Sequence, residues 1–296
     1  MTRAGQHSLP ADRLPSADRS VQDDEVQTAL RRMAGFTDAQ IDLAGAALLL
    51  ASRECPDIAL THYYEHLDEL TAAVERTFKE LPSRASRKGD ALAIVIHDDF
   101  GYHGDKQSYD NLQNANLMKV IDRRKGLPIA LGILYIHCGR QLDWDICGLN
   151  FPGHFLIRLD DGAQRTILDP FNNGTERTVP ELQGLLKGTQ GAYAELASGH
   201  YAMIGNREIL VRLQNNRKIR LLNAKQIDVG LKVVEDILLF APEEASFWHE
   251  AAVLNAHLKN FHAAISALNR YHDLITNSGE RSRVASLIAK LRARLH

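Results

Sequence analysis

A small set of side chains in this 296-residue chain has the types and spacing that thiol chemistry would need. They are His154, Asp169 and the three cysteines Cys55, Cys138 and Cys147. His154 opens a predicted strand, 154–159, and Asp169 closes the returning strand, 165–169, after the turn signal Asp160-Asp161-Gly162. Two such residues on an antiparallel pair are expected to face each other within hydrogen-bond reach. A histidine oriented by an acid and set against a helix N-terminus is the arrangement that activates a nucleophile. The helix end supplies free N–H groups and the positive pole of the macrodipole, which lower a thiol's pKa.

The helix that would supply that end begins in the run Gly126-Leu127-Pro128-Ile129-Ala130-Leu131-Gly132-Ile133-Leu134-Tyr135-Ile136. Its apolar residues fall on every side, which predicts a buried helix running to about Leu142. Pro128 fits the first helical position, where its fixed φ is suited and its missing N–H is not needed. A proline offers no nucleophile, and neither do Ile129 and Ala130 beside it. Cys138 falls mid-helix and Cys147 on a predicted strand, so both read as small buried hydrophobes. The favoured reading of His154 with Asp169 is therefore a brace for the hairpin, with a vestigial catalytic or binding role as the alternative.

Other polar groups carry weaker signals. His97, Asp98, Asp99, His103 and Asp105 have metal-ligand chemistry, but their spacing matches no specific site and a polar loop explains them. No metal ligand is assigned and no cofactor is expected. Arg123-Arg124-Lys125 reads as a solvated or salt-bridged run before the apolar helix. The formal net charge of −2 gives no basic field for nucleic acid. Three cysteines without a CxxC spacing argue against a disulfide framework or a cysteine zinc site, and suit a reducing cytoplasm. No apolar run approaches the ~18 residues of a membrane span. Residues 1–24 are polar, lack an apolar leader core, and are expected to be a disordered tail.

The positioning elements follow in order. A short helix is expected over 25–32. Thr37 and Gln40 form a capping box, with Phe36 against Ile41 as staple, ahead of a helix at 41–52. A second amphipathic helix runs from Ile58 to Phe78 and Pro82 breaks it. Residues 90–99 read as helix, 100–105 as a glycine-bearing loop, and 117–121 as a short helix. Strands are expected at 144–149, 154–159 and 165–169. This order is α+β.

From about Tyr201 the chain reads as helical to its end. A frame of about 34 residues puts Gly230 and Ala264 in register, and Trp248 and Ala252 at the aromatic and small positions of a unit. That is the period of a tetratricopeptide repeat, with Gln214 and Lys218 departing from it in the first unit. Two units and a capping helix over 279–296 should dock on the preceding domain. The expected organisation is a domain at 25–200 and a repeat tail at 201–296.

Together, Asn116-Leu117, Arg123-Arg124-Lys125-Gly126-Leu127-Pro128-Ile129, Pro152-Gly153-His154-Phe155 and Leu168-Asp169-Pro170-Phe171-Asn172 resemble the bacterial SirB-type family. That family joins a transglutaminase-like domain to a tetratricopeptide tail. The resemblance implies a papain/transglutaminase-like core, helices plus an antiparallel sheet, followed by an all-α tail. It matches His154 and Asp169 to the superfamily's histidine and acid, and places Pro128 where the nucleophilic cysteine stands. The expectation is a non-catalytic scaffold, with a pocket near His154 and a protein partner on the repeat tail. The alternative is a hydrolase or acyl-transfer enzyme in which His154 and Asp169 activate water or Cys147.

Overall fold

A computed structural model describes residues 23–82, 87–162 and 164–295. Most of the tail expected over residues 1–24 lies outside them; Asp23 and Asp24 instead open the first helix. Helix α1 (Asp23–Met33) buries Val26, Ala29, Leu30 and Met33, with acids in its first turn and Arg31 and Arg32 in its last, as the helix dipole favours. The Thr37–Gln40 capping box forms, but it closes a single 3₁₀ turn. Asp42 caps α2 (Leu43–Ser52) by accepting from the Gly45 N–H. Every residue of α2 is buried. Helix α3 (Thr61–Glu80) is continuous, and α4 (Arg87–Ala93) runs into a π-helical turn at Ile94–Asp99.

The supposed loop at 100–105 holds a two-residue strand, β1 (His103–Gly104), paired in parallel with β2 (Lys125–Gly126). Between them, Asn116 caps α5 (Leu117–Arg123) by accepting from the Lys119 N–H. Helix α6 (Pro128–Gln141) follows, with ten of its residues buried as its all-round apolar sequence requires.

One five-stranded antiparallel sheet lies across α6. It comprises β3 (Asp145–Leu149), β4 (Ile157–Asp161), β5 (Gln164–Asp169), β6 (Thr175–Glu176) and β7 (Met203–Ile204), in the order β6-β5-β4-β3-β7. Side chains alternate between its faces. Ile146, Ile157, Leu159 and Leu168 enter the main core with α6. Cys147, Leu149, Leu156 and Ile167 enter a second, smaller cluster under Leu182 and Leu186 of α7 (Val179–Gln190). Strand β4 starts at Ile157, so His154 belongs to the turn before it and not to the strand the sequence suggested. The strands β6 and β7 are too short for a periodic signal; α7 is not among the expected elements, although Thr178 and Glu181 form a capping box at its start and Leu182 and Leu186 are buried one turn apart.

The tail consists of α8 (Asn206–Asn223), α9 (Ile227–Phe240), α10 (Ala245–His257), α11 (Phe261–Leu274) and α12 (Ser278–Arg292). Two helix pairs and a cap are what the repeat frame predicts. At Gly230 a Cβ would lie 2.7 Å from Leu222, which explains the small residue there. The tail docks on the core. Asp38 accepts the N–H groups of Asn206 (2.8 Å) and Arg207 (3.0 Å), capping α8 from the turn before α2. Arg207 donates to the carbonyls of Met33 and Phe36, and Arg53 pairs with the buried Asp236 of α9 at 2.8 Å.

Candidate functional site

The N-terminus of α6 opens into a cavity of about 260 Å³. Leu127 is the cap residue and has no side chain to accept a hydrogen bond, and Pro128 is the first helical residue. The N–H groups of the next two residues therefore have no partner within the helix. Leu127, Pro128 and Ile129 form one wall. The segment Gly153-His154-Phe155 with Phe151 forms a second. Arg212, Asn215 and Asn216 of α8, with Tyr109, form the third.

Glycines fix these walls. The Phe155 ring is pressed against α6 at Gly132, where a Cβ would stand 2.3 Å from it, and against β3 at Gly148, where the distance would be 2.9 Å. That double contact holds the neighbouring His154 over the helix mouth. Gly153 takes φ +71°, a left-handed conformation that turns the chain into this segment.

His154 and Pro128 thus face one cavity, but Asp169 does not join them. The register pairs Ile157 with Leu168, and continuing it brings Leu156, not His154, level with Asp169. The Asp169 carboxylate, 1% exposed, is spent elsewhere. It accepts the N–H groups of Phe171 (3.1 Å) and Asn172 (3.2 Å), the Asn172 carboxamide (2.8 Å), and two N–H groups of Arg177 (3.1 and 2.8 Å). The expected His154–Asp169 hydrogen bond is therefore not formed. Asp169 braces the turn after β5. The His154 imidazole stacks edge-on to Phe151, with centroids 6.4 Å apart, and has no hydrogen-bond partner among the described residues.

No cysteine lines the cavity. Cys138 is wholly buried in α6, and burial pushes its thiol up to about 12, far from a thiolate at neutral pH. Cys147 points into the smaller cluster beneath α7, and burial raises its pKa too. Cys55 sits half-buried in the turn after α2.

The polar loop at 97–105 is used structurally. Burial opposes ionisation of Asp105, but the Ser108 N–H and hydroxyl, Asn114 and Lys125 together hold its carboxyl well below the usual carboxylate range. Arg123 (3.1 Å) and Lys125 (3.4 Å) complete its ion pairs. Arg124 turns inward to Tyr102 and His66, so the basic run anchors the approach to α6. His97 and His103 bind backbone carbonyls at 2.9 Å. Among the described residues, no group of three or more His, Cys, Asp or Glu is placed to hold a metal ion.

Tyr109, Arg212, Asn215 and Asn216 were not anticipated as site residues. Three of them arrive on α8, which reads only as a repeat helix. The available signal was its departure from the repeat pattern, with Gln214 at the aromatic position and polar residues beside it.

A transglutaminase-like superfamily model matches residues 61–215, just over half of the chain. The chain belongs to the transglutaminase-like superfamily. A tetratricopeptide repeat model matches residues 218–292, so the two matches meet inside α8. A UPF0162 protein of Xylella fastidiosa (strain Temecula1) is 29% identical over 247 residues, covering 82% of this chain and 87% of that protein. Protein SirB1 of Salmonella typhimurium is 24% identical over 245 residues, covering 82% and 90%. F-box only protein 21 of Homo sapiens is 27% identical over 209 residues, covering 62% of this chain and 32% of the human protein. Among the described residues no helix is long and apolar enough to cross a membrane.

Proposed function

We propose that this protein is a non-catalytic member of its superfamily, a scaffold that binds a protein partner through the cavity at α6 and the helical tail. The reading is carried by one observation. Where a thiol would meet His154 across the cavity, the helix presents Pro128, and the lining contains no cysteine, serine, threonine or lysine. The saturated Asp169 supports the same conclusion, because it does not orient the imidazole. Free cysteines suit a reducing cytoplasm as the place of action. The docked repeat tail supplies the larger binding surface, as stacked helix pairs do.

Incubation of the full chain with a thiol-directed acyl probe and an amine donor, read by intact mass, tests this. The expected result is an unchanged mass at neutral pH under non-denaturing conditions. Covalent labelling of a single cysteine that disappears in His154→Ala would show a working nucleophile and end the scaffold reading.

A further inference from the structure

The tail meets the core across a second cavity, of about 730 Å³, lined by none of the residues that line the one at α6. Helices α8 and α9 form one wall. Helix α1, the turn after α2 and the 3₁₀ turn at Leu112–Ala115 form the other. Most of its charges neutralise one another. Arg53 pairs with Asp236 at 2.8 Å and also with Asp23, and Glu54 lies 2.9 Å from Arg217 Nε.

Those pairs leave three groups open. Arg217 is 8% exposed, and its Nη1 and Nη2 have no partner among the described residues. Lys232 and Glu235, one turn apart on α9, form no ion pair or hydrogen bond among the described residues. A buried guanidinium with half its donors unused loses stability until an acceptor completes it. Its Nη1–Nη2 edge is a planar fork that matches the two oxygens of a carboxylate. Glu235 has the opposite need. Burial, then the neighbouring Asp236 charge, raises the pKa of its carboxyl, and a cation beside it would relieve both. Leu112, Leu221 and Val229 stand among these polar groups, so the body of a ligand would be aliphatic. The volume falls within the ~300–1,000 Å³ of small-molecule sites, and it exceeds what one free amino acid fills.

We propose that this cavity binds a short zwitterionic peptide of two or three residues, its carboxylate on the Nη1–Nη2 edge of Arg217 and its ammonium at Glu235. Lys232 adds a second cation to the carboxylate end, and aliphatic side chains cover Leu112, Leu221 and Val229. The walls come from both the core and the tail, so a bound peptide clamps α8 and α9 in their docked place. The site goes beyond the scaffold reading and does not depend on it: thiol labelling in the mass experiment would leave it standing.

Isothermal titration calorimetry of the full chain with the dipeptide L-alanyl-L-leucine tests the site. The dipeptide should bind at least tenfold tighter than its N-acetyl form, which lacks the ammonium, or its C-terminal amide, which lacks the carboxylate. It should also bind severalfold tighter than free L-leucine. At saturation it should raise the melting temperature by about 2–4 °C. Arg217→Lys keeps a charge beside Glu54 but removes the fork, and should weaken binding at least tenfold. Glu235→Gln, at an exposed position, keeps the assignment testable should the Arg217 variant fail to fold. It should weaken the dipeptide severalfold and leave the affinity of the N-acetyl form unchanged, a split that a merely structural role would not produce. Lys232→Gln should weaken the dipeptide severalfold. Absence of binding, equal binding of the blocked forms, or indifference to both Arg217→Lys and Glu235→Gln would overturn the site. Tighter binding of free L-leucine than of the dipeptide would overturn its assignment to a peptide.

Discussion

Two polar centres lie close together in the chain, around Asp169 and around His154, and they differ in one respect. Asp169 is buried and accepts five hydrogen bonds from its own turn and from Arg177. His154 is half-buried, has no hydrogen-bond partner among the described residues, and looks into a cavity with other unpartnered donors. A buried charge is tolerated only when its bonds are made. A group left open at a cavity is available to something else. The difference separates a group that holds the fold from one that can serve a ligand.

The largest expected effect is at the saturated centre. Asp169→Ala leaves Arg177 and two backbone N–H groups without their acceptor and should cost about 3 kcal/mol or more in urea unfolding. A loss below about 1 kcal/mol would remove the brace and reopen a site role for Asp169. Next is the contact that positions the open centre. Gly132→Ala drives a methyl into the Phe155 ring and should cost about 1–3 kcal/mol, with a shifted His154 imidazole resonance. If stability falls but the resonance stays, Phe155 does not set the histidine's place.

A smaller effect is set by pH. Burial lowers the pKa of His137, and burial followed by the Arg124 charge lowers that of His66. The unfolded chain therefore takes up protons first, below about 6.5. Their contribution is complete above that pH and declines as pH falls from there toward the folded values. Stability at pH 5 should lie below that at pH 7.5 by on the order of 1 kcal/mol, and His137→Gln with His66→Gln should flatten the difference. The smallest effect is expected at the open centre. His154→Ala breaks no hydrogen bond and should change unfolding free energy by no more than about 0.5 kcal/mol. A large loss would make it a second brace.

Much of this was legible in the residues. The all-round apolar run with Pro128 at its head is the buried helix α6, because composition and a fixed φ both act locally. The period of the tail gave two helix pairs and a cap, because each unit repeats the same packing problem. That His154 and Asp169 do not pair was not legible. Strand alternation says which face a residue takes, but β4 starts only at Ile157, after Phe155 has packed against Gly132 of α6 and Gly148 of β3. The third wall of the cavity was also hidden, since Arg212 and Asn215 come from the tail and meet His154 only after docking. The Thr37 capping box formed as read, but around a shorter turn, because Asp42 offered the following helix a better cap.

Helix α8 has one more implication. It is a single rod of about 27 Å by its rise per residue, and the two family matches divide within it, after Asn215 and before Lys218. Neither module owns it. Cutting the chain at that seam would sever α8 and leave the third wall of the cavity on a truncated helix. The same rod is a lever: cargo that tilts it from the tail must also move the guanidinium and carboxamides beside His154.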